Sequence, residues 1–130
     1  ARYSHLADKN VQIYLDGAHN EAGAQVLASW MKEEFHTPVY LIIGMTRNRP
    51  VEKFCQHFHG IITEGRAVKI LSEPSSYDPD TIVQKSRKCN INLRCSHSLD
   101  SAIKELSQLH PKKESTIIIT GSLFLLSDFY

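Results

Sequence analysis

Three short polar segments carry the residues of this chain that could do chemistry. The first, Asp16-Gly17-Ala18-His19-Asn20, places a carboxylate, an imidazole and an amide close together. The second, residues 44–50, carries Arg47 and Arg49, and the third is Gly121-Ser122. Guanidinium groups, backbone amides at a strand-to-helix turn and a hydroxyl are groups that bind carboxylates and phosphates. We therefore expect an anionic ligand that is held by local groups.

Each polar segment follows an apolar run that is typical of a buried strand, at residues 11–15, 39–43 and 115–120. After the first segment, residues 21–31 have apolar side chains at helical spacing. Strands that alternate with helices predict an α/β fold with three layers, a mainly parallel Rossmann-like sheet with helices on both faces. Since such sheets bind ligands at the carboxyl ends of their strands, the three segments should line one crevice.

Proline, glycine and helix-capping residues elsewhere in the chain predict further helices and short strands. Helices are expected from Pro50 to Gly60, from Asp78, as a cap, to about Cys89, from the Ser98 cap to Pro111, and from Leu123 onward. Short strands are expected at residues 60–63, 67–71 and 90–95.

Composition indicates one domain over residues 1–130 and excludes several classes of partner. The net charge is +1, so neither nucleic acid nor an anionic membrane is an expected partner. The apolar runs are far shorter than the roughly 20 residues that cross a bilayer. Cys55, Cys89 and Cys95 lack C-x-x-C spacing, which favours reduced thiols and a cytoplasmic protein without a zinc site.

The first segment, with Ile13-Tyr14-Leu15 before it, resembles the L-D-G-A-H-N signature of folylpolyglutamate synthases and bifunctional dihydrofolate/folylpolyglutamate synthases. Ala1-Arg2 resembles the end of that family's W-P-x-R segment, and Gly44-Met45 the start of its G-M-L-x-D-K-D loop. Thr120-Gly121-Ser122-Leu123-Phe124 resembles its C-G-S-L-Y element. The related Mur ligases usually have tyrosine at the position of Gly17, which favours the folate branch. The resemblance implies a fold of the Mur ligase C-terminal domain type.

The resemblance covers only the C-terminal domain of that family. The P-loop pattern G-x-x-x-x-G-K-[ST] and an obvious set of magnesium carboxylates do not occur in these residues. We therefore expect that the N-terminal ATPase domain is missing, that it is the partner of this chain, and that the chain alone is inactive and holds neither ATP nor Mg²⁺ firmly. Family members phosphorylate a carboxylate of dihydropteroate or folate with ATP, and the amine of glutamate attacks the acyl phosphate. Such chemistry depends on positioning and charge neutralisation.

The resemblance also implies roles for individual residues. Arg2 and Asp16 would bind the nucleotide, at its phosphates and its ribose, and His19 would be catalytic, near the glutamate and the phosphoryl group. The residues that would bind glutamate are His19, Asn20, Arg47, Arg49 and Ser122. No residue is expected to bind a metal. Where the family has D-K-D, this chain has Asn48-Arg49-Pro50, so Arg49 keeps the positive charge and Arg47 is an equal candidate.

Each role has a structural alternative. Asp16 and Asn20 could cap the following helix, and His19 could be a hydrogen-bonded structural histidine. Arg2 could be disordered, both loop arginines could be solvated, and Ser122 could belong to a bare turn. For the whole chain, the alternative function is a non-catalytic α/β binding or interaction module. A nicotinamide-dependent dehydrogenase is disfavoured because no G-x-G-x-x-G follows a strand.

Overall fold

A computed structural model describes residues 2–3, 11–36, 38–109 and 114–129. The strands within this part are β1 (Arg2–Tyr3), β2 (Val11–Leu15), β3 (Val39–Ile43), β4 (Glu64–Ala67), β5 (Leu93–Cys95) and β6 (Ser115–Thr120). The helices are α1 (Glu21–Glu34), α2 (Val51–Cys55), α3 (Pro79–Arg87), α4 (Leu99–Ser107) and α5 (Leu123–Phe129), and a 3-10 turn over Gln56–Phe58 continues α2.

The strands form one sheet in the order β1-β2-β6-β3-β4-β5. Strands β2 to β6 pair in parallel, and β1 pairs with β2 in the antiparallel sense. Every residue of β3 and β6 is buried, which is why these two strands have continuous rather than alternating apolar runs. The predicted α/β fold with a mainly parallel sheet is confirmed.

Helices cover both faces of the sheet and make three layers. Because successive side chains of a strand point to opposite faces, Leu41 and Ile43 pack under α1, α2 and α3, while Tyr40 and Ile42 pack under α4 and α5. The helices contribute the apolar side chains that their spacing predicts, such as Leu27 of α1. No helix of the described ranges is long and apolar enough to span a bilayer.

The prediction of strands at residues 60–63 and 67–71 is wrong. Residues 59–61 form a turn, and the strand is β4, which follows the first predicted run and shares only Ala67 with the second. Pairing with β3 explains the difference, because a Cβ at Gly65 would lie 2.5 Å from the carbonyl oxygen of Leu41. The close approach of the two strands requires glycine, and this contact outweighs the β propensity of the neighbouring apolar residues.

Two smaller expectations also differ from the structure. Asp78 precedes α3 as predicted, with Pro79 in the first turn, but its side chain makes no capping hydrogen bond. The strand expected over residues 90–95 is shortened to β5, since Asn90 is the last residue of the turn that follows α3 and adopts a positive φ of 56°. The Ser98 cap is confirmed, because its hydroxyl accepts a hydrogen bond from the Ser101 amide at 3.1 Å.

Candidate functional site

Three loops meet at the carboxyl edge of the sheet. We call them the β2 loop (residues 16–20), the β3 loop (residues 44–50) and the β6 loop (residues 121–122). Their strands are neighbours in the sheet, with β6 between β2 and β3. The three segments that were expected to line one crevice therefore lie side by side.

The β6 loop packs tightly against both of its neighbours. The amide of Gly121 donates to the carbonyl oxygen of Ala18 at 3.0 Å, and the hydroxyl of Thr120 donates to the same oxygen at 3.3 Å. Gly121 has a φ of +110°, and a Cβ there would lie 2.4 Å from the carbonyl oxygen of Gly44. Only glycine combines this backbone conformation with so close an approach. The relative positions of the three loops are thus fixed by their backbones.

A cavity of about 260 Å³ opens between the loops. Its wall combines a guanidinium, an imidazole, two hydroxyls and an apolar side, which are supplied by His19, Thr46, Arg49, Ser122, Leu123 and Phe124. Three of these, His19, Arg49 and Ser122, were named from the sequence. Thr46 was missed, although it follows the Gly44-Met45 match, and Leu123 and Phe124 were predicted only as the start of a helix.

His19 is half-buried and makes a hydrogen bond inside the β2 loop. Its Nδ1 lies 3.0 Å from the carbonyl oxygen of Gly17. Because a carbonyl oxygen only accepts, Nδ1 carries the proton, and in the neutral ring Nε2 keeps its lone pair. The structural role and a ligand role are therefore compatible, since the first occupies one nitrogen and leaves the other.

The two arginines of the β3 loop have different surroundings. Arg47 is exposed, and its Nη2 donates to the carbonyl oxygen of Pro74 at 3.2 Å. Arg49 is half-buried and lines the cavity, and no described residue accepts a hydrogen bond from its guanidinium. Of the two candidates, Arg49 lies on the cavity and Arg47 does not.

Ser122 is 5% exposed and precedes α5. Its Oγ accepts a hydrogen bond from the amide of Phe124 at 3.0 Å, so it caps the first turn of the helix. The hydroxyl proton is still available for a ligand, since the cap uses only an oxygen lone pair. The turn is therefore not bare, and Ser122 can cap and donate at once.

Asp16 and Asn20 stabilise the two ends of the β2 loop. Oδ1 of Asp16 accepts from the Ala18 amide at 2.9 Å, so the carboxylate closes a turn before the helix and is not the helix cap. Oδ1 of Asn20 accepts from the Gly23 amide at 2.8 Å and caps α1, as the structural alternative predicted. Neither residue lines the cavity. The backbone of Arg2, in β1, pairs with Tyr14 of β2. The side chain of Arg2 lies outside the described part, and so does the predicted phosphate contact.

The chain matches the family described as the C-terminal domain of dihydrofolate synthetase, over residues 1–130. A dihydrofolate synthase/folylpolyglutamate synthase of Bacillus subtilis is 27% identical over 132 residues, which cover 95% of this chain and 28% of that protein. The chain thus spans less than a third of that relative's length.

Solved structures of related enzymes share the fold. A Mycobacterium tuberculosis folylpolyglutamate synthase complexed with ADP has a TM-score of 0.79 and 19% identity, over 91% of this chain and 29% of that one. A bifunctional folylpolyglutamate synthase/dihydrofolate synthase with Mn, AMPPNP and L-glutamate bound has a TM-score of 0.79 and 15% identity, over 95% of this chain and 29% of that one. By the match over all its residues, this chain belongs to the family of dihydrofolate synthetase C-terminal domains.

Proposed function

We propose that this chain is the glutamate-accepting domain of an ATP-dependent ligase that joins L-glutamate to dihydropteroate or to a folate through an acyl phosphate. The observation that carries the proposal is the meeting of His19, Arg49 and Ser122 on one cavity at the carboxyl edge of the sheet. The bifunctional enzyme of the same fold that was crystallised with AMPPNP and L-glutamate supports both classes of ligand.

The cavity offers a complementary group for each part of glutamate. The guanidinium of Arg49 can pair with a carboxylate through two parallel hydrogen bonds, and the hydroxyl of Ser122 can donate a further one. Leu123 and Phe124, which are 62% and 50% exposed, can cover the methylene groups. The free Nε2 of His19 can accept a proton from the glutamate ammonium, which must become neutral before its nitrogen attacks the acyl phosphate.

The nucleotide and its metal would depend largely on a second domain. Asp16 keeps its second carboxylate oxygen for a ribose hydroxyl, and Arg2 is the proposed phosphate contact. Within the described ranges, no group of three His, Cys, Asp or Glu side chains is placed to hold a metal ion. We propose that an N-terminal ATPase domain forms the acyl phosphate in the cytoplasm, and we expect the isolated chain to be inactive.

The two arginines provide a matched test of the glutamate site. The chain is joined to the ATPase domain of a family member, and glutamate-dependent ADP formation is measured for Arg49→Ala and for Arg47→Ala. Loss of a charge-assisted hydrogen bond predicts that Arg49→Ala raises the KM for glutamate roughly 10-fold to 100-fold, whereas Arg47→Ala changes it less than about threefold.

Two results would count against the proposal. A KM for glutamate in Arg49→Ala that is as low as the KM in Arg47→Ala would remove Arg49 from the site. Normal ADP formation by the combined variant His19→Ala, Arg49→Ala and Ser122→Ala would remove the whole cavity from the reaction. If the joined protein bound glutamate without forming ADP, the non-catalytic binding module would be the better description.

A further inference from the structure

The β3 loop rests on a second loop that the sequence motifs do not include. We call residues 73–77, which follow β4, the support loop. The amide of Arg47 donates to the carbonyl oxygen of Ser75 at 2.7 Å, and the amide of Tyr77 donates to the carbonyl oxygen of Met45 at 2.8 Å. Thr46 and Ser76 form an antiparallel bridge between these two bonds. The two loops are therefore joined by their backbones like a short pair of strands.

The support loop is itself held in place from below. The hydroxyl of Ser76, which is 5% exposed, accepts from the amide of Ile70 at 2.9 Å and donates to the carbonyl oxygen of Tyr77 at 3.0 Å. The ring of Tyr77 packs against the apolar cluster beneath α1, α2 and α3. These contacts hold the support loop in position, and the β3 loop is bonded to the support loop.

The side chain of Tyr77 reaches Arg49 directly. Its hydroxyl donates to the carbonyl oxygen of Arg49 at 3.1 Å, and the amide of Arg49 donates to the carbonyl oxygen of Thr46 at 3.0 Å. Arg49 is therefore anchored at both its amide and its carbonyl group. The next residue is Pro50, which has no N–H that could add another anchor on that side.

This anchoring matters because the arginine side chain is long. A small rotation of the backbone at Arg49 moves a guanidinium at the end of several rotatable bonds by much more, and paired hydrogen bonds to a carboxylate tolerate little displacement. We propose that Tyr77 is a positioning residue for the glutamate site, and that its hydroxyl fixes the backbone from which Arg49 reaches the cavity. This inference rests on the proposed function.

The test removes the hydroxyl and keeps the ring. In the joined enzyme, Tyr77→Phe should raise the KM for glutamate about threefold to tenfold, the effect of one lost hydrogen bond, while kcat stays within about twofold. Because Tyr77 acts through Arg49, the double variant Tyr77→Phe, Arg49→Ala should have the same KM as Arg49→Ala alone. Faster hydrogen exchange at the Arg49 amide in Tyr77→Phe would report the released backbone independently of activity.

Tyr14→Phe is the matched control, since Tyr14 is also a half-buried tyrosine, and its hydroxyl donates to Gln12 at 3.1 Å, away from the three loops. It should leave the KM for glutamate unchanged. An unchanged KM in Tyr77→Phe, beside a raised KM in Arg49→Ala, would overturn the positioning role and leave the proposed function intact. Additive effects in the double variant would also overturn it. If Arg49→Ala had a normal KM, the proposed function itself would fail.

Discussion

At the scale of single residues, the polar side chains of the candidate site use some of their atoms in the fold and leave others available. His19 gives Nδ1 to the Gly17 carbonyl, and Ser122 gives an oxygen lone pair to the Phe124 amide. Each keeps one further group that can bind something else. A structural role and a ligand-binding role therefore need not exclude each other, because the hydrogen bond within the fold also fixes the orientation of the remaining group.

Asp16 permits a test that separates these two roles. Asp16→Asn can keep the oxygen that accepts from Ala18, but it replaces the second oxygen with a donor, whereas Asp16→Ala removes both acceptors. We expect Asp16→Asn to retain the melting temperature and to raise the KM for ATP about tenfold in the joined enzyme. Asp16→Ala should raise the KM similarly and also cost about 1 kcal/mol of stability. A normal KM for ATP in Asp16→Asn would contradict the ribose contact.

At the scale of elements, the sequence predicts the central strands best. The apolar runs over β3 and over residues 117–119 of β6 need no tertiary information, because a strand buried on both faces has a continuous rather than an alternating apolar run. The position of β4 was not predictable in this way, since it depends on the approach of Gly65 to Leu41 in the neighbouring strand. Local β propensity predicts a strand at the neighbouring isoleucines, but the pairing with β3 places the strand at β4 instead.

The candidate site follows the same rule. That His19 and Ser122 share one edge follows from the parallel direction of their strands, which the alternation of strands and helices predicts. That β6 lies between β2 and β3 is known only from the structure. The choice between Arg47 and Arg49 does not follow, because it depends on the support loop, whose Pro74 carbonyl accepts from Arg47. Spacing alone cannot show which arginine a distant loop will engage.

Two glycines test how the β6 loop holds the elements together. Gly121→Ala must place a Cβ against the carbonyl oxygen of Gly44 at a φ of +110°, whereas Gly60 has a φ of +78° and nothing within 4 Å of the added atom. We expect Gly121→Ala to cost about 3 kcal/mol or more and Gly60→Ala about 1 kcal/mol, as measured by urea unfolding. Equal losses would show that backbone strain alone, and not the contact between loops, makes glycine necessary at Gly121.

At the scale of the whole molecule, we propose that the chain supplies one side of a reaction site, at the carboxyl edge of its sheet. The proposed ligand-binding side chains of His19, Arg49 and Ser122 lie on three adjacent loops, and the sequence contains no P-loop that could hold the phosphates of ATP. The relative from Bacillus subtilis is more than three times as long as the region that it shares with this chain. In the proposed enzyme, a second domain on the carboxyl edge would close the cavity, and such a closure would exclude water from the acyl phosphate.

The stability of the whole fold should depend on alkaline pH through Cys55. Burial, with smaller effects of Cys89 and Glu52, raises the pKa of Cys55 from 9.0 to about 12. Because the folded state holds this proton more tightly, the contribution is complete below about pH 9 and is lost as the pH rises toward 12, at up to about 1.4 kcal/mol per pH unit. Urea unfolding should therefore show wild type losing roughly 2 kcal/mol more than Cys55→Ala between pH 8.5 and pH 10.5. Because other alkaline groups are common to both proteins, parallel pH profiles would contradict the assignment to Cys55.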